Sequence, residues 1–470
     1  MNFVRKMASK RIHAIAILAM KAFVVVDPWT DLAMTSQADG FRILPLLAIS
    51  KALENNNMEA AEKSRLIRLA TRLSAHSGTR ASANALAAQI DQGTQMREWQ
   101  WYAGLAAIDR GDQRGAGDHF ALVGKGDRNF LRARYQQAII AYNLRRVAQA
   151  ETIFKEILDA KPAPDRDLQD LTKLGLGRLW YEQKKFQSAA AIYRTVSREG
   201  RYFVPALFEQ SWAFFMAGFP NHALGAIRGV ESPFFKDGFT PEATLLRSMI
   251  LYWMCLYPQS EVALQEFIAR HSDPIDQVEN FLARQQLTPE SAWQLFENLL
   301  AGVSGESLGI PRAVLMTAAN SDRMVPVRTG LAQAALEIQM LEGGKLHLGT
   351  PKKNGTAAAD PTSLIREHQA KLRHESGKAF MAELADLRTQ YQQLRAQADF
   401  LYVELLTSEK DKLLGKEHLG SNKFAAQKSG AKRPAGWGKA LMAWAPDNKQ
   451  EYWWDEVGFY IDPAKPACMK

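Results

Sequence analysis

The sequence predicts an all-helical protein whose middle part is built from repeated helix-turn-helix units. Three observations favour this class: small residues recur in register, apolar residues follow three-and-four spacing through the second half, and a heptad seam lies near the C-terminus. Of the 470 residues, 47% are hydrophobic and 23% are charged, which is typical of a folded protein. The length exceeds one compact core, so several domains or an elongated array are expected.

Small residues mark the middle of the chain at a fixed spacing. The alanines of one series are separated by 34, 39 and 34 residues, and the five extra residues fall in the loop-like stretch KPAPDRD. A second small residue precedes each alanine by twelve positions, and a large apolar or aromatic residue follows it by four. The alanines are Ala116, Ala150, Ala189 and Ala223, the preceding residues are Gly104, Ala138, Gly177 and Ser211, and the following ones are Phe120, Phe154, Tyr193 and Ile227.

This register resembles the tetratricopeptide repeat, a 34-residue helix-turn-helix unit with small residues at its eighth and twentieth positions. The resemblance covers residues 97 to 230, which make four units, and the turn position is glycine in two of them, Gly111 and Gly218. In this family the small side chains let the two helices of a unit approach closely. Stacked units then form a solenoid with a concave surface, and the resemblance implies the same arrangement here.

The resemblance also implies which side chains line the concave groove. The second, fifth, ninth, twelfth and thirteenth positions of each unit face it. These positions include Trp101, Tyr135, Ile139, Tyr142, Arg178, Tyr181, Phe208, Trp212 and Phe215. Exposed aromatic patches of this extent mark a contact site, so the groove is the candidate partner-binding site, with Arg178 available for a ligand carboxylate. The alternative is that some of these rings pack beneath the flanking segments.

Segments with fewer matching positions flank the four units. Residues 39 to 96 are predicted to form degenerate repeats, and residues 231 to 343 to form degenerate repeats and further helices. Residues 1 to 38 resemble an export signal, because basic residues precede an apolar run at residues 12 to 26 and Ser36-Gln37-Ala38 offers a cleavage site. The alternative is an uncleaved anchor, although the run is shorter than the roughly 20 residues of a membrane-spanning helix.

A heptad seam dominates residues 344 to 415, after a loop-like stretch at 343 to 363. Its apolar residues alternate steps of four and three and predict packing against a partner helix. They are Phe380, Leu384, Leu387, Tyr391, Leu394, Ala398, Leu401 and Leu405. The partner is expected to be an antiparallel helix of the same chain, such as 328 to 341 or 362 to 378, and the alternative is a second copy of the protein.

The C-terminal part has two contrasting segments. Residues 416 to 443 are predicted to be a flexible basic linker, within a stretch able to contact anionic lipid or an acidic partner. Residues 444 to 470 are aromatic and acidic, and we expect them to dock onto the helical body because their composition argues against disorder. This segment resembles, more weakly, a C-terminal aromatic motif of envelope-associated repeat proteins of gliding and predatory bacteria, through Glu451, Tyr452, Trp453, Asp455, Glu456, Gly458 and Tyr460.

Catalytic and metal-binding patterns are weak. GESLG at residues 305 to 309 matches a hydrolase nucleophile pattern, but it follows helical sequence where that chemistry needs a strand, so a loop is predicted. His368 and His374 are six residues apart and fall on different helix faces. The two cysteines, Cys255 and Cys468, are far apart, so no disulfide framework is indicated, and Cys255 is interpreted as a buried apolar residue. No catalytic residue, metal site or cofactor is therefore predicted.

The sequence thus favours a non-enzymatic scaffold of the bacterial cell envelope that binds a peptide or a partner helix in its groove. The partners expected are proteins, with membrane association through the N-terminus or the basic linker; no nucleic acid is expected, although the net charge is +9. The location is periplasmic or envelope-associated, or else the inner membrane through residues 12 to 26. The alternative function is structural assembly through the C-terminal coiled coil, with the repeats as a spacer.

Overall fold

A computed structural model describes residues 27–55, 57–90, 99–235, 240–344, 360–414, 442–444 and 452–467. This part of the chain is almost wholly helical, which confirms the predicted all-α class. The helices are α1 (Pro28–Ala38), α2 (Ile43–Leu53), α3 (Ala60–Leu73), α4 (Arg80–Gln89), α5 (Gln100–Asp109), α6 (Gln113–Ala121), α7 (Phe130–Asn143), α8 (Val147–Leu158), α9 (Arg166–Glu182), α10 (Phe186–Tyr193), α11 (Phe203–Met216), α12 (Pro220–Val230), α13 (Pro241–Trp253), α14 (Tyr257–Arg284), α15 (Pro289–Leu300), α16 (Gly305–Leu308), α17 (Arg312–Ala319), α18 (Val325–Glu342) and α19 (Pro361–Leu413).

The chain divides into two compact units. The first unit contains residues 1–112 and 326–373, and the second contains residues 113–325 and 374–470. The two helices of the first predicted repeat, α5 and α6, therefore belong to different units. The predicted segment before residue 27 lies outside the described residues, as does the predicted basic linker except for Met442 and Ala443.

The core of the first unit joins α1 to α5 with α18 and the start of α19. Leu32 and Ala33 of α1 are buried in it, so cleavage after Ala38 would remove a helix from this core. The buried side chain of Glu337 on α18 caps the N-terminus of α2. Its carboxylate accepts the backbone N–H groups of Arg42 and Ile43 at 2.9 and 2.8 Å and that of Leu44 at 2.9 Å. A carboxylate at this place satisfies N–H groups that have no partner within the helix.

Helical hairpins follow one another through the second unit. The pairs α7–α8, α9–α10, α11–α12 and α13–α14 each pack internally, and each pair packs on the next. The small residues predicted at the crossings of the first three hairpins are buried, with Ala138, Ala150, Ala189, Ser211 and Ala223 fully inaccessible. At Gly177 an added Cβ would overlap the ring of Tyr193, which confirms the predicted close approach of the helices in that hairpin.

One turn geometry closes these hairpins. The second residue after each first helix has a positive φ, and the N–H of the residue that follows it donates to the carbonyl five residues earlier at 2.8 to 3.0 Å. This is the hydrogen bond of a Schellman turn, which usually needs glycine. The turn residues are Gly111 (φ 79°), Arg145 (60°), Lys184 (59°), Gly218 (84°) and Cys255 (58°).

The hairpin α13–α14 has the same register as the preceding ones, although its sequence departs from theirs. Ser248 and Ser260 occupy the two small-residue positions, and both are fully buried. The Ser248 hydroxyl donates to the Ser260 carbonyl at 2.7 Å, and the Ser260 hydroxyl donates to the Ser248 carbonyl at 2.7 Å. Mutual hydrogen bonding thus satisfies two hydroxyls at a crossing where the earlier units use alanine or glycine.

The heptad seam of α19 packs inside the chain, as predicted, but against other helices. Phe380, Leu384 and Tyr391 are buried in one core with residues of α13, α14, α15 and α17. The suggested partner 362 to 378 is wrong because those residues form the beginning of α19 itself. The other suggested partner, 328 to 341, belongs to α18 in the first unit.

The C-terminal segment docks on the hairpins, as its composition predicted. Met442–Ala443 and Tyr460–Ile461 form a short parallel pair, β1 and β2, and β2 lies against α12. An added Cβ at Gly225 of α12 would overlap the Tyr460 carbonyl, so the backbone of the segment approaches the helix directly. Asn221 then donates its side-chain amide to the carbonyls of Asp462 at 2.7 Å and Ala464 at 2.6 Å.

Two arginines that follow α10 contact the same segment from the side. The guanidinium carbons of Arg194 and Arg198 lie 4.9 and 4.5 Å from the ring centroid of Phe459. At the end of the segment, the Ala467 N–H donates to the Met254 carbonyl at 2.9 Å. Cys255, the residue after Met254, is half-buried and belongs to a disulfide, so its interpretation as a buried apolar residue is wrong.

Candidate binding groove

Eight of the nine predicted groove residues lie on the first helices of three successive hairpins. They are Tyr135, Ile139 and Tyr142 on α7, Arg178 and Tyr181 on α9, and Phe208, Trp212 and Phe215 on α11. Helix α9 packs between α7 and α11, so these three helices form a continuous surface. The ninth residue, Trp101, is on α5 in the first unit and packs against that unit's core.

The aromatic side chains of this surface are partly covered. Tyr135, Tyr142, Tyr181, Phe208 and Trp212 are half-buried, and we call these five the aromatic row. Phe215 is buried, with its ring 6.4 Å from that of Trp212, so it supports the row from below. The Tyr135 ring packs 5.8 Å from Phe154, and its burial raises the pKa of the phenol. The row therefore presents ring faces and edges held in place by the helices beneath.

Arg178 does not have a free guanidinium, contrary to the prediction that it would meet a ligand carboxylate. It forms a two-pronged ion pair with Glu209 of α11, with Nε 3.0 Å from both carboxylate oxygens and Nη2 2.6 Å from Oε1. Hydrogen bonding to Glu209 raises the pKa of Arg178. Tyr193 also hydrogen-bonds to Glu209. A ligand carboxylate would have to displace an internal one.

A second internal carboxylate accepts a hydrogen bond from the row. The Tyr142 hydroxyl donates to Glu182, which stands at the end of α9. Together with the Arg178–Glu209 pair, this contact ties α7 to α9 and α9 to α11. The polar groups of the surface are thus committed to one another, and the aromatic rings remain as its accessible part.

Sequence reasoning missed Glu182 and Glu209. No local motif links either glutamate to its partner, since Glu182 follows Tyr142 by 40 residues and Glu209 follows Arg178 by 31. The repeat spacing offers a signal, because a separation near one unit length places two side chains on neighbouring first helices. An arginine and a glutamate at that separation therefore favour an internal pair.

The equivalent surface of the fourth hairpin is already occupied by α19. Glu242, Leu245, Met249 and Tyr252 stand on α13 at the positions that hold groove residues in the earlier units. Leu245 is buried in the core that contains the heptad seam, and Glu242 accepts a hydrogen bond from Gln390. The Tyr252 hydroxyl donates to Glu404 at 3.0 Å, and burial raises its pKa to about 12. A helix thus lies on this face of the hairpins.

The residues considered for catalysis or metal binding do not lie on this surface. Ser307 of GESLG lies in the short helix α16, exposed, with its hydroxyl 2.9 Å from that of Ser304. His368 hydrogen-bonds to Ser82 at 2.9 Å, and His374 to Glu290 at 2.8 Å. In the part of the chain that the structure describes, no three His, Cys, Asp or Glu side chains are grouped to hold a metal ion.

Comparison with known proteins adds no relative. No protein-family model matches the chain, and no characterised protein matches it significantly. None of the described helices is both long and apolar enough to cross a lipid bilayer.

Proposed function

We propose that the chain is a solenoid of the tetratricopeptide type that acts as a non-enzymatic scaffold, holding an apolar helix of another protein on the aromatic row. The observation that carries the proposal is the contrast between neighbouring hairpins. The first-helix face of α13 is covered by α19, whereas the same face of α7, α9 and α11 leaves five aromatic rings half-exposed. Exposed aromatic surface of this kind is typical of a contact site.

The charges of the surface favour an apolar ligand over an acidic peptide. Arg178 is neutralised by Glu209, and the Tyr142 hydroxyl is taken by Glu182. Ring faces, by contrast, bury large apolar area on binding. An amphipathic helix places anchors at i, i+3, i+4 and i+7, and a row of rings across three helices suits that spacing.

We propose the bacterial cell envelope as the site of action. The N-terminal sequence resembles an export signal, and the disulfide at Cys255 supports an oxidising compartment, because structural disulfides rarely persist in a reducing cytosol. Identification of the protein that the aromatic row captures in the envelope would give the partner and the process served.

Substitution of the row tests the proposal. Tyr181→Ala and Trp212→Ala should each weaken partner capture at least tenfold, because each removes a half-exposed ring from a contact surface. The measurement is quantitative co-purification from envelope extracts, with circular dichroism to verify the fold. Leu144→Ala is the matched control, since Leu144 is a large apolar side chain exposed outside the row. Equal capture by all three variants would rule out the row as the binding site.

Deletion of residues 362 to 470 does not separate the scaffold function from assembly through the C-terminal part. The inner face of α19 completes the core of the second unit, so its removal would expose the residues that share this core, such as Leu264 and Phe296. Because the heptad seam is buried within the chain, assembly through α19 would need its other face.

A further inference from the structure

The end of α19 carries an apolar face directed away from the core. Six large side chains between residues 400 and 414 are 44% to 89% exposed, a denser group than elsewhere among the described residues. They are Phe400, Tyr402, Val403, Leu406, Leu413 and Leu414, and we call them the outer face. At 100° per residue Phe400 and Val403 fall opposite the buried Ala398, Leu401 and Leu405 of the seam. Tyr402, Leu406 and Leu413 fall on one adjoining side, and Leu414 follows the end of the helix. A helix with apolar residues on both sides has two packing surfaces, of which one is used within the chain.

We propose that the outer face joins two copies of this chain as an antiparallel helix pair. Together the six side chains expose on the order of 600 Å² per copy, so pairing removes at most about 1,200 Å², which is the lower limit of specific stable interfaces. This inference does not depend on the aromatic row.

The charges on the outer face select the antiparallel arrangement. Asp399 and Lys410 are both exposed, lie within the face, and have no ion pair among the described residues. They are eleven residues apart, or about 16 Å along the helix. In an antiparallel pair, Lys410 of each copy contacts Asp399 of the other copy. This gives two ion pairs, with Val403 and Leu406 between them. A parallel pair would place like charges together, which is unfavourable.

The other possible occupants fit less well. Residues 399 to 414 carry four acidic residues against two lysines, so this part of the helix has no excess of positive charge to attract an anionic lipid surface. The following residues of the chain, 415 to 441, have the sequence GKEHLGSNKFAAQKSGAKRPAGWGKAL, in which five glycines and one proline separate the apolar residues. That sequence lacks the three-and-four apolar spacing that would cover a row of six side chains.

Sedimentation velocity of the full chain between 1 and 100 µM tests the inference. We expect a monomer–dimer equilibrium in the micromolar range, and Phe400→Glu with Val403→Glu should raise the dissociation constant at least tenfold. The matched control is Val262→Glu with Ile268→Glu, which places two charges at exposed apolar positions of α14. A monomer at 100 µM, or a dimer that the first double variant leaves intact, overturns the inference.

Charge reversal tests the direction of the pair. Asp399→Lys and Lys410→Asp should each weaken the dimer several-fold, since each puts like charges in contact, and the double reversal should restore the original dissociation constant. Failure of the double variant to recover would exclude the antiparallel arrangement. Circular dichroism of every variant checks that the helical content is unchanged.

Discussion

Gly177 shows how much of the hairpin packing depends on one missing methyl group. Gly177→Ala should lower the free energy of unfolding by about 1 to 3 kcal/mol, because the new Cβ overlaps the buried Tyr193 ring. Urea unfolding measures the change. Gly117→Ala is the control, since an added Cβ meets nothing there, and it should stabilise by up to about 1 kcal/mol through helix propensity alone. Equal effects of the two substitutions would contradict the contact.

His368 makes the first unit sensitive to acid. Burial lowers the pKa of its imidazole to about 4, since the charged form loses hydration, and the unfolded chain binds the proton near pH 6.5. The free energy of unfolding is therefore highest above pH 6.5 and decreases as the pH falls towards 4, by at most about 3 kcal/mol.

His368→Gln should flatten this dependence, because glutamine keeps a polar contact to Ser82 without a titrating proton. The measurement is urea unfolding at pH 7.5 and 4.5. Ser82→Ala is the comparison variant: it removes the hydrogen bond but leaves the buried imidazole, so its pH dependence should resemble that of the original chain. If His368→Gln lost as much stability on acidification as the original chain, the burial of this imidazole would not govern the effect.

At the scale of the helical element, the hairpin turns store backbone strain. Arg145, Lys184 and Cys255 adopt a left-handed conformation that glycine adopts at Gly111 and Gly218. Such a conformation costs a non-glycine residue on the order of 1 kcal/mol. The same turn is kept because it satisfies carbonyls at the end of each first helix.

Lys184→Gly should therefore raise the free energy of unfolding by roughly 0.5 to 1 kcal/mol, since glycine relieves the strain while losing some entropy on folding. Gly218→Ala is the reciprocal change and should lower it by about 1 kcal/mol. Thermal and urea unfolding report both. A destabilised Lys184→Gly would mean that the lysine side chain contributes more than the strain removes.

The sequence predicted hairpins more reliably than turns. Small residues at a regular spacing report a helix crossing because only they fit there, so the buried positions of α7 to α12 could be predicted. Arg145 and Lys184 gave no such signal, since their side chains do not favour the conformation that the turn imposes. The α13–α14 hairpin was underestimated because its crossing uses two serines, whose mutual hydrogen bonds no composition rule anticipates. A heptad seam specifies an apolar partner but not which helix provides it.

The position of the groove was predictable from the sequence, but the pairing of its charged side chains was not. The repeat register placed eight of its residues on neighbouring helices. Arg178 was expected to be available, yet its partner Glu209 is 31 residues away, and only the stacking of hairpins brings the two together. The solenoid assignment itself stays a prediction of the register.

At the scale of the whole molecule, a disulfide should leave the chain without reactive thiols. Cys255 is bonded, and Cys468, which lies outside the described residues, is the only other cysteine of the sequence. Under denaturing conditions we expect no reaction with a thiol reagent before reduction and two thiols per chain after it. Peptide mapping without reductant should find Cys255 in a cross-linked peptide. A free thiol in the unreduced protein would contradict the bond.

The docked C-terminal segment makes the order of synthesis matter. The face of α12 that receives Val457 and Tyr460 is synthesised well before the residues that cover it. Until those residues follow, Leu207 and Phe203 beneath Gly458 have no cover, so a nascent chain displays apolar surface to chaperones and proteases. Synthesis of the docked segment therefore ends the period in which this surface can bind a chaperone.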